Sequence, residues 1–154
     1  MTTGALELAD EDETAALGRS LARLLRAGDA VALSGPLGAG KTTLARSVIE
    51  ELGLAGEVPS PSFALVIAYD PPDVRVPVLH VDLYRLEDAS EIEELGLEDA
   101  RSDAILLIEW AERMGGDLWD DTLRLALEPL PGGGRRLTWA APAAWEARWP
   151  PARP

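Results

Sequence analysis

The spacing of hydrophobic positions predicts helices and strands that alternate along most of the chain. Apolar residues recur with helical period from Leu17 to Leu25, and Gly28 ends that segment. A second helical pattern runs from Thr42 to Leu52. Apolar runs that are typical of strands occupy DAVALSG (29–35), FALVIAY (63–69), VPVLHVD (76–82) and AILLIEW (104–110). Alternation on both sides of PGGG predicts a β-hairpin over 122–140.

The segments between these runs carry weaker signals. Two prolines predict an irregular loop over 58–63, and YDPPDV (69–74) predicts either a hairpin turn or a crossing loop. Ser90 and Glu93 have the spacing of a capping box, for a short helix through Leu95. A terminal helix is expected over 143–149.

This order of elements predicts an α/β fold. Strands that alternate with helices, followed by further strands, favour a three-layer α/β/α sandwich. We expect a mixed sheet with a parallel centre and antiparallel edge strands. No repeat or linker interrupts the pattern, so residues 1–150 are expected to form one domain, followed by a loose tail at 151–154.

Charge and composition narrow the possible functions. The formal net charge is -13, which opposes direct binding of nucleic acid or anionic membrane over most of the surface. The chain has no Cys, which excludes disulfides and thiolate metal sites. The acidic N-terminus carries no export signal, and no run of about 18 apolar residues predicts a membrane span. We therefore expect a cytoplasmic protein.

The stretch from Gly35 to Thr42 matches the phosphate-binding pattern G-x-x-x-x-G-K-[ST] without a gap. Glycines let backbone N–H groups curl around a phosphate, and the N-terminus of the following helix adds partial positive charge. Lys41, the only lysine of the chain, is expected to reach the β- and γ-phosphates. Thr42 is expected to bind Mg²⁺, and Thr43 can contact the α-phosphate. The expected fold is therefore that of a P-loop NTPase.

Two missing residue types favour adenine over guanine as the base. The chain has neither Asn nor Gln. It therefore has no Asn-Lys-x-Asp reader of guanine and no Ras-type Gln to orient a water molecule. Any hydrolysis must use a carboxylate, the backbone or a residue of a partner.

Two acidic residues stand at the ends of predicted strands. Asp82 ends VLHVD, and Glu109 ends the more hydrophobic run LLIE, as a Walker B acid does. Strand ends beside a phosphate loop face that loop, so both are candidates for contact with Mg²⁺, directly or through water. His80, on the same face as Asp82, is either packed or catalytic. Trp110 either walls the nucleotide site or fills a sheet edge.

Five segments in order resemble a known family. They are GPLGAGKTTL (35–44), SPSF (60–63), HVDLYRL (80–86), ELGLED (94–99) and LIEW (107–110). From about the first helix to Trp110, the chain resembles the TsaE family of bacterial tRNA threonylcarbamoyladenosine biosynthesis ATPases, formerly YjeE. The phosphate loop alone indicates only a superfamily, whereas H-x-D-L-Y-R together with I-E-W makes the resemblance specific.

The resemblance implies an activity and partners. Members work with TsaB and TsaD to make N6-threonylcarbamoyladenosine at position 37 of ANN-decoding tRNAs, and TsaD transfers the threonylcarbamoyl group. The P-loop protein is an accessory subunit that binds ATP and Mg²⁺ and hydrolyses ATP slowly. Its contact with tRNA is expected to be mainly indirect, in agreement with its negative charge.

The resemblance also implies roles for individual residues. Lys41, Asp82 and Glu109 are the expected catalytic residues, and Thr42 and Glu109 are the expected Mg²⁺ ligands. The nucleotide contacts are expected to come from Glu11, Thr14, Leu37, Gly38, Ala39, Gly40, Lys41, Thr42, Thr43 and Arg135. Of these, Glu11 and Thr14 match a segment near the adenine. Two switch-like loops are expected, the first with Ser60 and Ser62 and the second with Asp82, Tyr84 and Arg85.

Two other functions are compatible with the same phosphate loop. A small-molecule kinase usually needs a lid with several Arg residues and a second substrate pocket, whereas the basic residues here are scattered. A nucleotide-gated binding module would use ATP mainly to order the 58–63 and 80–86 loops for a partner. Phosphate transfer from ATP to an added acceptor would identify a kinase. The rate of ATP turnover would distinguish a binding module from an ATPase.

Overall fold

The computed structural model describes residues 1–59, 61, 65–88 and 90–151. Its strands are β1 Thr2–Leu8, β2 Ala30–Ser34, β3 Val66–Tyr69, β4 Val78–Asp82, β5 Ile105–Glu109, β6 Leu123–Pro129 and β7 Arg135–Ala141. Its helices are α1 Glu11–Leu24, α2 Lys41–Glu51, α3 Ser90–Glu94 and α4 Leu97–Arg101. Two 3₁₀ segments span Ala111–Asp117 and Ala143–Trp145.

These strands form one mixed sheet in the order β1-β7-β6-β2-β5-β4-β3. The central strands β6, β2, β5 and β4 run parallel to one another. On one side β7 and β1 continue the sheet antiparallel, and on the other side β3 pairs antiparallel with β4. The predicted parallel centre and antiparallel edges are thereby confirmed, as is the β6–β7 hairpin. Of the two alternatives that the sequence left open for 69–74, the structure has the hairpin, between β3 and β4.

Helical layers cover both faces of the sheet. On one face α1 and α2 pack against alternate strand residues such as Val31, Leu33 and Leu107. On the other face the intervening residues, such as Ala32 and Ile108, pack against α3, α4 and the first 3₁₀ segment. Each parallel strand is therefore apolar on both faces, which explains the continuous hydrophobic runs in the sequence.

Helix α1 is held close to α2 near the glycine-rich loop. The Asp10 side chain caps α1 by accepting the Glu13 N–H at 2.9 Å. A Cβ atom on Gly18 would lie 1.9 Å from Ser47 Oγ and 2.9 Å from the Leu44 carbonyl oxygen, so only glycine allows this approach. The packing brings the first turn of α1 beside the first turn of α2.

Several local features differ from the sequence prediction, among them α4 and the 3₁₀ segment Ala111–Asp117, which it does not contain. The N-terminal strand β1 is absent from the prediction, because it is formed by pairing with the distant β7. The predicted terminal helix over 143–149 is wrong: only Ala143–Trp145 forms a 3₁₀ turn. Prolines flank this short segment, and Trp145 and Trp149 are buried individually in the core. Their packing sets the backbone there.

The predicted capping box is also wrong. Ser90 is the first residue of α3, and its N–H donates to the Asp88 carboxylate at 3.0 Å. This bond lowers the pKa of Asp88. An Asp two residues earlier therefore replaces the predicted Ser cap.

Within the described ranges, the helices are too short or too polar to span a bilayer. The domain boundary at residue 150 stays a prediction, since 152–154 lie outside the described residues.

Candidate functional site

The glycine-rich loop lies between β2 and α2, at the carboxyl end of the parallel strands. Gly38 and Gly40 have φ angles of 76° and 104°, a left-handed backbone that glycine adopts readily. Gly40 immediately precedes α2, which begins at Lys41. The unpaired N–H groups at the start of α2 therefore lie next to the loop, an arrangement that attracts anions.

The ammonium group of Lys41 is enclosed by the loop and by an aromatic ring. Lys41 is only 4% exposed. Its Nζ donates to the carbonyl oxygens of Gly35 and Pro36, the second at 2.9 Å. The same atom lies 4.0 Å from the centroid of the Trp110 ring, within cation–π distance.

This enclosure changes the acidity of the ammonium group. Burial lowers the pKa of Lys41 below its usual value, while the negative charges of Glu109, Glu112 and Asp82 oppose that shift. The site thus holds a cation with reduced access to water. An anion that enters such a site is attracted more strongly than it would be in bulk water.

Trp110 forms a wall of the same site. It follows β5 directly and has a left-handed backbone, with φ 58° and ψ 40°. Its ring packs on Tyr84 with centroids 4.8 Å apart. Of the two alternatives that the sequence left open, the structure places Trp110 at the groove.

A short chain of hydrogen bonds joins α2, β5 and β4. The Thr42 hydroxyl donates to Oε1 of Glu109 at 2.6 Å. The other carboxylate oxygen, Oε2, lies 2.6 Å from Nε2 of His80. His80 and Glu109 are 0% and 1% exposed, so both side chains are held inside the protein.

Asp82 lies beside Glu109 on the neighbouring parallel strand. The two residues are Cα partners in the β4–β5 register. Asp82 is buried and accepts the Tyr84 N–H at 2.9 Å. Strand alternation places Asp82 and His80 on one face, as predicted, and this is the face that α2 covers.

The opposite wall comes from the start of α1 and the start of β7. Asp10, Glu11 and Thr14 lie on the α1 side, and Gly133 and Arg135 lie near β7. One guanidinium nitrogen of Arg135 donates to the carbonyl oxygen of Gly38 at 3.0 Å, which ties this wall to the glycine-rich loop.

All predicted contact residues that the structure describes line one groove of about 250 Å³: Glu11, Thr14, Leu37, Gly38, Ala39, Gly40, Lys41, Thr42, Thr43, Asp82, Glu109 and Arg135. Tyr84 also lines it, whereas Arg85 is not among the lining residues. Ser60 and Ser62 lie outside the described residues. The chemical roles given to these residues stay predictions.

Sequence reasoning misses two lining residues, Asp10 and Gly133. Asp10 carries a detectable signal, since an Asp before an acidic first turn and an apolar helical pattern is typical of an N-cap. Gly133 belongs to the predicted PGGG turn. Nothing local indicates that this turn reaches the glycine-rich loop, because the sheet order brings them together.

The oxygen donors of the groove fit a magnesium ion. Thr42 Oγ1 and Glu109 Oε1 are hard oxygen donors, 2.6 Å apart, at the start of α2 and the end of β5. Within the described residues, no group of three or more His, Cys, Asp or Glu side chains could hold a metal ion. Mg²⁺ usually takes one or two protein ligands together with phosphates and waters, so the two oxygens of Thr42 and Glu109 are a fitting set of protein donors for it.

Comparison with known proteins assigns the chain to a family. A family model described as "Threonylcarbamoyl adenosine biosynthesis protein TsaE" matches residues 8–136. The chain belongs to the TsaE family. Members of this family are proteins of threonylcarbamoyladenosine biosynthesis. The TsaE match covers α1, the glycine-rich loop, both acidic strand ends and Arg135.

Individual TsaE relatives resemble the chain over most of its length. The tRNA threonylcarbamoyladenosine biosynthesis protein TsaE of Streptomyces coelicolor is 46% identical over 117 residues, which cover 75% of this chain and 79% of that protein. The Bacillus subtilis protein of the same name is 34% identical over 131 residues, 84% of this chain and 80% of that protein. The crystal structure of Bacillus subtilis YdiB has a TM-score of 0.76 at 26% identity, and the match covers 93% of this chain and 88% of that chain.

Proposed function

We propose that this protein is an ATP-binding, Mg²⁺-dependent and slowly hydrolysing ATPase. In this proposal it acts in the cytoplasm as an accessory subunit, with TsaB and TsaD, in making N6-threonylcarbamoyladenosine at position 37 of ANN-decoding tRNAs. One observation carries the ATPase part. The Thr42 hydroxyl and the Glu109 carboxylate meet at 2.6 Å beside the buried Lys41, at the carboxyl end of the parallel strands.

Lys41 is the proposed phosphate anchor. Its Nζ now donates to the carbonyl oxygens of Gly35 and Pro36. Phosphate oxygens of ATP would replace these neutral acceptors by charged ones, which form shorter and stronger hydrogen bonds. The N–H groups of the loop and of the first turn of α2 would bind the remaining phosphate oxygens.

Thr42 and Glu109 are the proposed protein ligands of Mg²⁺. When bound, Mg²⁺ would neutralise part of the negative charge of the phosphates. Asp82, in register with Glu109 on the next strand, would orient the attacking water or a water of the metal shell. The chain contains no Gln and no Asn, so a carboxylate such as Asp82 is the side chain that we propose for this role.

The wall formed by Glu11, Thr14 and Arg135 is the proposed site of the nucleoside part. Arg135 is fixed to the carbonyl oxygen of Gly38, and its guanidinium lies beside the loop that would hold the phosphates. Adenine is preferred over guanine because the chain cannot build an Asn-Lys-x-Asp reader.

The accessory role is supported by family membership and by charge. The net charge of -13 disfavours direct binding of tRNA, so the partner proteins would make most contacts with the RNA. The proposed partners are TsaB and TsaD, as the resemblance of the sequence implies.

Phosphate release from ATP and from GTP tests this proposal. It is measured with Mg²⁺ for the pure protein, and then with TsaB, TsaD and an ANN-decoding tRNA. We expect slow, ATP-selective turnover that rises when the partners are present. Equal turnover of GTP would refute the base preference, and turnover that the partners do not change would refute the accessory role. Lys41→Met is the matched negative control for a contaminating ATPase.

A further inference from the structure

We propose that His80 is a positioning residue for the Glu109 carboxylate. In this view, the Nε2–H of the imidazole holds one carboxylate oxygen so that the other faces Thr42, where Mg²⁺ would bind. The inference rests on the proposed function for the identity of the ion. The hydrogen bond itself can be tested without nucleotide or metal.

The two oxygens of Glu109 have separate partners on separate elements. Oε2 lies 2.6 Å from His80 Nε2 on β4, and Oε1 lies 2.6 Å from Thr42 Oγ1 on α2. The carboxylate is therefore fixed from both sides. If His80 were removed, rotation about the side-chain bonds of Glu109 would lose one of its two restraints.

The tautomer of His80 follows from its partner. A carboxylate only accepts hydrogen bonds, so Nε2 must carry the hydrogen for a contact of 2.6 Å. The other ring nitrogen, Nδ1, is buried and has no hydrogen-bond partner among the described residues. Within the described part of the chain, the ring thus makes one hydrogen bond, to Glu109.

Packing alone does not account for an imidazole at this position. A buried polar atom without a partner destabilises the fold, whereas an apolar side chain of similar size would fill the same space without that cost. The parallel register pairs His80 with Leu107, so the ring reaches along β5 to Glu109, two residues further on. Replacement of a residue that forms a hydrogen bond to a metal ligand commonly weakens metal binding by about 10–100-fold.

A pair of variants separates positioning from packing. In His80→Gln the amide N–H can lie near the position of Nε2, whereas the shorter side chain of His80→Asn places its amide near Nδ1. The readout is the Mg²⁺ concentration for half-maximal binding of a fluorescent ADP analogue, with binding in EDTA as the reference. We expect this concentration to rise about 10-fold or more in His80→Asn and to stay close to wild type in His80→Gln.

Two results would overturn the inference. One is an unchanged Mg²⁺ requirement in both variants. The other is an equal loss of binding with and without Mg²⁺, since this indicates a general loss of structure. If the wild-type protein itself shows no effect of Mg²⁺ on nucleotide binding, then the proposed function fails rather than the role of His80 in holding the carboxylate.

Nuclear magnetic resonance of the wild-type protein provides a second test that needs no variant. His80 is the only histidine in the chain, so ¹⁵N-histidine labelling gives one ring spin system. We expect a proton on Nε2 and none on Nδ1, and a shift of the Nε2 resonance in Glu109→Gln. A proton on Nδ1 with a bare Nε2 would overturn the inference.

Discussion

Gly35→Ala is expected to destabilise the protein even without any ligand. Gly35 has a φ of 137°, and a Cβ atom built on it would lie 2.2 Å from the carbonyl oxygen of Leu127 in β6. A backbone conformation at this φ costs an L-residue about 1–3 kcal/mol. Relief of the overlap requires β6 or the loop to shift, which adds about 1–3 kcal/mol, as in an overpacked core.

Gly38→Ala is the matched control. Gly38 lies in the same loop with a φ of 76°, but a Cβ atom there meets nothing within 4 Å. It should therefore lose only the conformational term of about 1–2 kcal/mol. Urea unfolding without nucleotide measures the free energy of unfolding of both variants. In thermal unfolding, each kcal/mol of lost stability lowers the Tm by about 2–4 °C in a chain of this size. Equal losses in the two variants would refute the claim that contact with β6 decides the residue at position 35.

Three further predictions follow from charged groups. Lys41 is the only lysine of the chain, so its side-chain ¹³C resonance can be followed against pH. Its pKa should lie below the usual 10.5, and a pKa at or above 10.5 would contradict the burial of the ammonium group. Since its folded pKa is lowered, the cost of burying its charge is present in full at low pH. This cost is relieved as pH rises from the folded pKa toward 10.5, so wild type should then gain stability relative to Lys41→Met. Asp82→Ala should keep nucleotide binding but lose about 10²-fold or more in phosphate release, and full hydrolysis would exclude its proposed role. Arg148 binds Asp29 through two hydrogen bonds of 2.7 and 3.0 Å, and the two side chains are only 13% and 11% exposed. Arg148→Ala should therefore lower the free energy of unfolding in urea by about 3 kcal/mol. Arg23→Ala, at an exposed arginine, is the control and should lower the free energy of unfolding by less than about 1 kcal/mol. Similar losses in the two variants would contradict the importance of burial.

The sequence predicts the centre of the fold and the phosphate loop well, for physical reasons. Strands β2 and β5 are buried on both faces, so their apolar runs are continuous. The glycine pattern of the loop is set by local backbone geometry, which a short motif records. Glu109 is found because it ends a fully apolar run, where a carboxylate is unexpected unless it has a partner.

Features that depend on contacts between residues far apart in the sequence could not be predicted from local patterns. Strand β1 has mostly exposed or half-buried positions, and its pairing partner is β7. The bond between His80 and Glu109 joins residues on different strands, so their sequence spacing does not reveal it. Trp110 could be assigned to the groove only after its backbone was known to turn into the left-handed region after β5.

The pairing of β1 with β7 has a consequence for protein synthesis. Thr2 faces Ala141, so β1, which is made before the other six strands of this sheet, must wait for most of the sheet to be made. β1 has only two large apolar residues, Leu6 and Leu8, which suits that delay, because an exposed strongly apolar strand would favour mispairing. Arg135, at the start of β7, reaches back to Gly38. A nascent chain that stops before Arg135 therefore has its glycine-rich loop but lacks one wall of the groove, so the groove is completed only late in translation.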